Sequence, residues 1–291
     1  MYSKTIVAIT TITSTVFTAT KQQLIAMKYS NGLRDIHPKA QIGQNVTIGS
    51  FTTIEEDVVI GDGCQIGSNV HIFNGARIGQ DCKIFPSASI SAPPQTRQIL
   101  EEAAILEIGS GTVIRECCTL NRGNLKFGGN TIIGENCLLM AYVHVAHDCV
   151  IGHDSVLANN VTLAGHINVG KWATLGGMVA VHQFVRIGEQ TMIGGGSLVR
   201  KDVPPFVTAA REPLSYAGIN TLGLKRRGFE KDEMHHIEDI YRILFVQGYS
   251  INKAIKIIEQ DLPPTIYRQQ ITSFIQGAKR GLMKGFRSKN A

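Results

Sequence analysis

The sequence is poor in charge, and its cysteines lack the spacing of a structural metal site. Charged residues make up 18% of the 291 positions and hydrophobic ones 43%, which is the composition of a folded protein and excludes a disordered one. The six cysteines include no Cys-x-x-Cys pair. We therefore expect free thiols in a reducing compartment, and a cytoplasmic protein without disulfides.

The sequence also lacks a convincing membrane span or signal peptide. The uncharged segment 6–20 comes nearest, but threonines interrupt it, it has no clear small-x-small cleavage site, and it is too short and polar to cross a bilayer comfortably. We expect no stable membrane insertion. We also expect Met27 to be the natural start and residues 1–33 to be an N-terminal extension outside the core.

Net charge is absent from the first 205 residues, which hold 15 basic and 15 acidic side chains. The net charge of +6 comes entirely from residues 206–291, which hold 14 basic and 8 acidic side chains. A basic C-terminal segment suggests an anionic partner such as a nucleotide, an acidic carrier protein, a membrane surface or nucleic acid. For any single lysine, a solvated helix face is an equally good explanation.

An aliphatic residue recurs at every sixth position from Ile36 to Ile90, and again, after two interruptions, as far as Val199. This interval fits neither an amphipathic helix nor a simply alternating strand. Glycine often follows the aliphatic residue, which we interpret as the requirement of a tight corner. The interruptions, at about 91–104 and 122–131, are predicted loops.

This hexapeptide repeat resembles that of the left-handed parallel β-helix family, in which three hexapeptides form one triangular coil. It predicts an all-β solenoid over residues 34–205, with the aliphatic side chains pointing inward. Residues 206–291 are predicted to form a C-terminal helical domain that caps the solenoid. Its helices are expected at 230–247, at 250–260 with Ser250 as N-cap, and from the prolines at 263–264 to about Gly281.

Residues that lie three hexapeptides apart should stack on one face of such a solenoid. His147 then lies below Gly165, Asp148 lies below His166, and His182 follows along the same side. A neutral histidine can accept a proton at physiological pH, and a glycine N–H can stabilise a developing oxyanion. The plainer alternative is that exposed histidines are common and that repeats stack similar residues.

Four strings carry a closer resemblance: HVAHDCVIGHDSVLANNVTLAGH, GGMVAVHQF, DVPPF and GLKRRGF, in this order. Together with the two loops they resemble the UDP-N-acetylglucosamine O-acyltransferases that begin lipid A synthesis, from about residue 34 to the C-terminal helices. The resemblance implies transfer of an (R)-3-hydroxyacyl chain from acyl carrier protein to the 3-position of the UDP-sugar. It also implies a homotrimer with sites between subunits. No metal, cofactor or nucleic acid is expected.

The resemblance assigns roles to individual residues. His147 matches the general base, Asp148 its neighbour and Gly165 the oxyanion donor. Gly195 matches the position that limits acyl-chain length, where glycine favours a long chain. The remaining substrate-binding residues it implies are His144, His166, His182, Gln183, Asn220, Arg226, Arg227, Gln95 and Thr96. The arginine pair suits a pyrophosphate, because guanidinium groups bind phosphate oxygens in a bidentate manner.

Departures from the family pattern include the segment Arg211-Glu212-Pro213, where the family often has a further His, and three single positions. Thr96 stands where an Asp is usual, Gln98 where a Lys is usual, and Leu222 where an acidic residue is common. That Asp normally touches the sugar 3-position. Its loss leaves the acceptor open, and N-acylation of a 3-amino sugar nucleotide is the alternative.

Other solenoid proteins offer more distant alternatives. A zinc-dependent carbonic anhydrase needs three converging histidines, and its usual His pair is wider than the step from His144 to His147. The N-acyltransferase of the same pathway carries a sizeable uridine-binding domain, for which we expect no room before Ile36. A non-catalytic or ice-binding solenoid leaves the stacked histidines unexplained.

Overall fold

The computed structural model describes residues 33–96 and 104–285 and confirms the left-handed β-helix with C-terminal helices. Its 27 described strands, β1 to β27 in chain order, form three sheets on the three faces of a triangular prism. The predicted extension 1–33, apart from Leu33, and the residue Gln98 lie outside the described residues.

Within each sheet, neighbouring strands belong to successive coils. The first sheet contains β1 Asp35–Ile36, β4 Thr53–Ile54, β7 His71–Ile72, β10 Ser89–Ala92, β13 Thr119–Asn121, β16 His144–Val145, β19 Thr162–Leu163, β22 Ala180–Val181 and β25 Leu198–Val199. The second contains β2 Gln41–Ile42, β5 Val58–Ile60, β8 Ala76–Ile78, β11 Ile105–Ile108, β14 Asn130–Ile133, β17 Val150–Ile151, β20 Asn168–Val169 and β23 Arg186–Ile187. The third contains β3 Thr47–Ile48, β6 Gln65–Ile66, β9 Lys83–Ile84, β12 Val113–Ile114, β15 Leu138–Leu139, β18 Val156–Leu157, β21 Thr174–Leu175, β24 Met192–Ile193, β26 Val207–Ala210 and β27 Ser215–Ile219.

The strand register confirms both the coil of three hexapeptides and the two loops. Ile36 pairs with Ile54, three hexapeptides on, as predicted. At the first interruption Ile78 pairs with Ile108, and at the second Ile108 pairs with Ile133. The register therefore widens at each interruption and then returns to the regular coil. The ladder of strands continues across both insertions. The second contains a 3₁₀ helix at Leu125–Phe127.

The aliphatic residues of the repeat point inward, as predicted. Ile90, Leu120, Val145 and Leu163 are fully buried, and successive coils place them directly above one another. Burying one such side chain stabilises a fold by roughly 1.5–3 kcal/mol. The stacked aliphatic column is thus the core of the prism.

The interpretation of the repeated glycines as corner-forming residues is wrong in its physical reason. Gly152 and Gly170, which follow strands of the second sheet, do not adopt the left-handed backbone. Each instead lies against the next coil: a Cβ on Gly152 would approach the backbone nitrogen of Lys171 to 2.4 Å. Glycine is needed here because two backbones pass each other closely.

The left-handed conformation occurs further into each corner, usually at a residue with a side chain. Asp148, His166 and Phe184 have φ of 58°, 61° and 64°. We name the corners by the sheets that they join. The first corner (first to second sheet) includes residues 146–149, 164–167 and 182–185; the second (second to third) includes 152–155, 170–173 and 188–191; the third (third to first) includes 140–143, 158–161, 176–179 and 194–197.

The C-terminal segment begins as sheet and not as helix. Strand β26 pairs in parallel with β24 and extends the third sheet, and β27 folds back antiparallel to it. This hairpin was not predicted from the sequence. Placing the boundary between solenoid and C-terminal domain at 205/206 remains a prediction.

Four α-helices follow: α1 Thr221–Arg226, α2 Lys231–Tyr241, α3 Ile251–Asp261 and α4 Ile266–Gln276. The short α1 was not predicted. Helix α2 continues as a π-helix at Arg242–Val246, Ser250 caps α3 as predicted, and α4 ends at Gln276, well before the predicted Gly281. Among the described residues, no helix combines the length and the apolarity needed to cross a bilayer.

Aromatic side chains join these helices to the last coil. The Tyr241 hydroxyl donates to the carbonyl of Pro205 at 2.5 Å, and the Phe206 ring packs against those of Phe229 and Tyr267. Tyr241 and Phe206 are fully buried. The helical segment therefore caps the end of the prism, as the sequence predicts.

We expect Gly152→Ala to destabilise the protein, because its Cβ would meet the backbone of the next coil at 2.4 Å. Overpacking of this kind costs about 1–3 kcal/mol, and a backbone clash can cost more. The matched control is Gly177→Ala, whose Cβ would meet only the Asn159 carbonyl oxygen at 3.4 Å. Urea unfolding of both variants measures the difference; equal stabilities would contradict the close-approach explanation.

Candidate active site

The first corner gathers most of the predicted site residues. His147, Asp148, Gly165 and His166 lie there on two successive coils, and His182 and Gln183 lie on the third. Strand β16 brings His144 to its edge, and Gln95 and Thr96 follow the end of β10 at the same corner of an earlier coil.

His147 and Asp148 form a hydrogen-bonded pair. Nδ1 of His147 lies 2.7 Å from Oδ2 of Asp148, and the two side chains are only 15% and 6% exposed. Because a carboxylate accepts, the proton of the neutral imidazole sits on Nδ1. Nε2 is thereby left with its lone pair, which is the arrangement of an oriented general base.

Backbone and loop contacts fix Asp148 itself. Its Oδ1 accepts the N–H of Asn124 at 2.9 Å, and its own N–H donates to the Thr131 hydroxyl at 2.8 Å. Asn124 belongs to the second inserted loop, and Thr131 lies in β14, the strand at which that loop ends. This loop therefore holds the carboxylate that orients His147.

Gly165 lies directly against the imidazole of His147. A Cβ added at Gly165 would come within 2.8 Å of Cε1 and 3.0 Å of Nε2. Gly165 is buried, and its N–H makes no backbone hydrogen bond with the rest of the described chain. The glycine allows the ring to sit here and leaves a backbone donor beside it, as an oxyanion site requires.

His166 occupies the place above Asp148. Its ring meets that of His147 edge-on at 5.0 Å and stacks on Phe184 at 4.5 Å, with only 7° between the planes. Burial lowers the pKa of His166; the charge of His147 acts in the same direction and that of Asp148 opposes it. Phe184 was missed from the sequence, although it lies three hexapeptides after His166.

His144 points outward from the first sheet beside this cluster. Its Nδ1 lies 2.7 Å from the hydroxyl of Thr119, its partner in the strand register. Burial lowers the pKa of His144. The ring is therefore held neutral, with Nε2 available for a ligand.

His182 is exposed at the far end of the cluster. Its Nδ1 lies 3.0 Å from Nη2 of Arg280 and 3.1 Å from the carbonyl oxygen of Gln183. Arginine only donates and a carbonyl oxygen only accepts, so Nδ1 can hydrogen-bond Arg280 or the Gln183 carbonyl, but not both at once. Arg280, which is distant from His182 in sequence, was not predicted as part of this corner.

The predicted acceptor-binding residues begin the first inserted loop. Gln95 is exposed and Thr96 is half-buried, and the N–H of Thr96 donates to the carbonyl of Pro94 at 2.9 Å. Thr96 thus follows the same corner as His147, two coils earlier along the prism.

Asn220 and Arg227 lie at the second corner, away from the histidine cluster. Asn220 caps α1 through the N–H of Gly223 and donates to the carbonyl of Gln190 at 2.8 Å. Arg227 donates to the Gln190 side chain and to the carbonyl of Trp172, and its guanidinium lies over the Trp172 ring.

Arg226 differs from Arg227 by being exposed. Gly195, the predicted chain-length position, lies at the third corner, where a Cβ would meet the carbonyl oxygen of Gly177 at 3.1 Å. One chain therefore spreads the predicted residues over all three corners.

The donor atoms of His147, Asp148 and His166 are close enough together for a metal ion to be considered. Ligands of a tetrahedral zinc, each about 2.0–2.1 Å from the ion, lie roughly 3.3 Å apart. The Nδ1–Oδ2 separation of 2.7 Å in the His147–Asp148 pair is instead that of a hydrogen bond. The geometry fits a base and its orienting carboxylate better than it fits the zinc-hydratase alternative.

Family comparisons agree with this fold. Residues 39–74 and 130–165 match the model described as bacterial transferase hexapeptide (six repeats), and residues 202–283 match UDP N-acetylglucosamine O-acyltransferase, domain 2. The fold and the histidine corner thus define a hexapeptide-repeat transferase.

Individual relatives make the assignment narrower. An acyl-[acyl-carrier-protein]–UDP-N-acetylglucosamine O-acyltransferase of Thiobacillus denitrificans is 40% identical over 196 residues, 67% of this chain and 76% of the relative. A UDP-N-acetylglucosamine acyltransferase structure from Bacteroides fragilis is 42% identical with a TM-score of 0.84, over 87% of this chain and 98% of that one. The Arabidopsis enzyme is 30% identical with a TM-score of 0.75, over 87% and 99%. The chain belongs to the UDP-N-acetylglucosamine O-acyltransferase family, as the sequence motifs predicted.

The lowered pKa of His144 predicts a pH-dependent stability. An unfolded histidine takes up its proton near pH 6.5, before the folded one does, so the free energy of unfolding should fall as pH drops below about 6.5. Replacing His144 by Gln should make this fall less steep, whereas replacing the exposed His235 should not. Urea unfolding of the wild type and both variants at pH 7.5 and 5.5 measures the fall. If the free energy of unfolding falls equally in the wild type and in the His144 variant, the prediction is contradicted.

Proposed function

We propose that this chain transfers an (R)-3-hydroxyacyl group from acyl carrier protein to the 3-hydroxyl of UDP-N-acetylglucosamine, the first step of lipid A biosynthesis. The observation that carries the proposal is the first corner, where the His147–Asp148 pair lies against the backbone of Gly165. Family membership supports the substrates, since the Thiobacillus relative is named for both the carrier protein and the sugar nucleotide.

In the proposed reaction His147 Nε2 removes the proton of the sugar hydroxyl as its oxygen attacks the thioester carbonyl. The Gly165 N–H stabilises the oxyanion that forms. When the intermediate collapses, the carbon–sulfur bond breaks and His147 returns the proton to the thiol of the carrier. Asp148 stays ionised and stabilises the imidazolium between these steps. The thioester is already activated, so we propose no cofactor or metal.

The other predicted residues have roles in binding. His144, with Nδ1 at its Thr119 contact, offers Nε2 to a substrate; His166, His182 and Gln183 extend the same corner. Arg226 is exposed and suited to the nucleotide phosphates. Some N–H donors of Arg227 are already hydrogen-bonded to Gln190 and Trp172. Gly195 has no side chain that could obstruct the acyl chain, which favours a long chain.

The distribution of these residues supports a homotrimer with shared sites. His147 lies at the first corner, Arg227 at the second and Gly195 at the third. Each face between corners spans one hexapeptide, roughly 16–20 Å at about 3.3 Å per residue. One substrate set can reach all of these groups most simply if corners of neighbouring prisms face each other.

The carrier protein is the proposed partner of the basic C-terminal segment, which holds the whole excess of positive charge. Complementary charge raises association rates and orients the partners. Free buried thiols such as Cys64 and Cys149 support a reducing cytoplasmic location.

The direct test is acyl transfer from loaded carrier protein to UDP-N-acetylglucosamine by wild type and two variants. His147→Ala should lower turnover by about a hundredfold or more, the scale of a general base. The matched control is His153→Ala, because His153 makes the same Nδ1–Oδ2 contact with Asp154, at 2.6 Å, on the second corner. We expect this control to stay within about threefold of wild type. A loss below tenfold for His147→Ala would remove it from the role of base.

Because Thr96 stands where the family usually has an Asp, the next experiment asks whether the acceptor group of the sugar is a 3-hydroxyl or a 3-amine. A hydroxyl can hydrogen-bond either a 3-hydroxyl or a 3-amine, while the Asp usual in the family would add a charge-assisted bond. We expect the O-acyl product to predominate when UDP-N-acetylglucosamine and its 3-amino analogue compete for one acyl donor. Mass spectrometry of the products measures the ratio. Exclusive N-acyl product would overturn the acceptor while leaving the fold and the base in place.

A further inference from the structure

Residues 121–124 contact both the first inserted loop and the carboxylate of the His147–Asp148 pair. They begin at Asn121, the last residue of β13, in which Leu120 pairs with Val145 of the next coil. This register puts Asn121 and Arg122 one coil before Ala146 and His147. The segment therefore lies between the proposed acceptor loop and the proposed base.

Asn121 is the buried member of this segment, at 2% exposure. Its Nδ2 donates to the carbonyl of Pro93 at 2.8 Å and approaches that of Ala92 at 3.3 Å. Its Oδ1 is also buried, and finds no hydrogen-bond partner among the described residues. An unpaired buried acceptor lowers stability, so packing alone would favour an apolar residue here. The useful part of the Asn121 amide is therefore its N–H donor. It points at Ala92 and Pro93, which form the root of the first inserted loop.

Arg122 holds the same root from the other side. Its backbone N–H donates to the carbonyl of Ala92 at 3.0 Å. Its guanidinium donates to the carbonyls of Ser91 at 3.1 Å and Asn74 at 3.3 Å. Together with Asn121 it fixes residues 91–93, which only Pro94 separates from Gln95 and Thr96.

The other end of the segment reaches the base. The N–H of Asn124 donates to Oδ1 of Asp148 at 2.9 Å, while Oδ2 of the same carboxylate holds His147. The short segment 121–124 thus connects the loop root to the group that orients the imidazole.

We propose that Asn121 is a positioning residue that fixes the acceptor loop relative to His147. The inference rests on the proposed function, because it takes Gln95 and Thr96 to contact the sugar nucleotide. Proton transfer needs the acceptor hydroxyl within hydrogen-bond reach of Nε2, and a loop free to move at its root holds the sugar less well.

The test compares steady-state constants of the full-length protein. Asn121→Leu keeps a similar volume and removes both the donor and the unpaired acceptor. It should raise KM for UDP-N-acetylglucosamine at least fivefold and leave KM for loaded acyl carrier protein within twofold. Asn121→His, which retains an N–H donor, should recover most of the nucleotide affinity.

The matched control is Thr112→Val. Thr112 is fully buried, its hydroxyl donates to the carbonyl of Gly134 at 2.8 Å, and it lies away from the first corner. It should lower the melting temperature without changing either KM.

Two results would overturn the inference: an unchanged nucleotide KM in Asn121→Leu, or equal changes in both KM values. If Asn121→Leu does not fold, Arg122→Ala gives the same comparison, with the same rise expected and an unchanged KM as the contrary result. Wild-type turnover separates this inference from the proposed function. A wild type that does not acylate the nucleotide refutes the function, whereas an active wild type with an unaffected Asn121→Leu refutes only the positioning role.

Discussion

The parallel ladder that joins each coil to the next is the interaction on which the rest of this structure depends. It requires two backbones to pass at the second corner with almost no space between them, and Gly134, Gly152 and Gly170 provide that space. Once the ladder is closed, each inward aliphatic residue is buried by its counterparts above and below. The same spacing puts the ring of His147 against the backbone of Gly165. Stability and the candidate chemistry therefore have one geometric origin.

This ladder also explains why much of the site could be predicted from sequence. Where each coil holds three hexapeptides, adding three hexapeptides to a residue number gives the residue that stacks on it in the next coil. The pairs His147 with Gly165 and Asp148 with His166 were found in this way. The same addition leads from His166 to Phe184, although this neighbour was not predicted. Where loops widen the register, addition fails. The partners of Asp148 are Asn124 in the second inserted loop and Thr131 in the strand that follows it. They could not be assigned because nothing in their spacing fixes where an inserted loop returns.

Contacts made by the C-terminal segment were beyond sequence analysis for another reason. Helical periodicity predicted that helices exist there, but not where they dock or end. The contact of Arg280 with His182 and that of Arg227 with Trp172 join distant parts of the chain through tertiary packing alone. The hairpin β26–β27 was missed because β26 follows β24 in the third sheet at a shorter interval than the three hexapeptides of a regular coil. In both cases the deciding interaction is long-range and has no local pattern.

A second His–Asp pair shows why the motif alone does not define the site. His153 and Asp154 repeat the contact of His147 and Asp148 one hexapeptide later, and both aspartates adopt the left-handed corner conformation. The residues stacked on them differ. One coil above His147 is Gly165, which has no side chain and lets the imidazole lie against its backbone, whereas one coil above His153 is Lys171, whose side chain pairs with Glu189. The His147 and Asp148 side chains are 15% and 6% exposed, against 48% and 23% for His153 and Asp154. The proposed base needs a close backbone donor and shielding from water, and of the two His–Asp pairs the one at the first corner is the better shielded and the one that lies against a glycine.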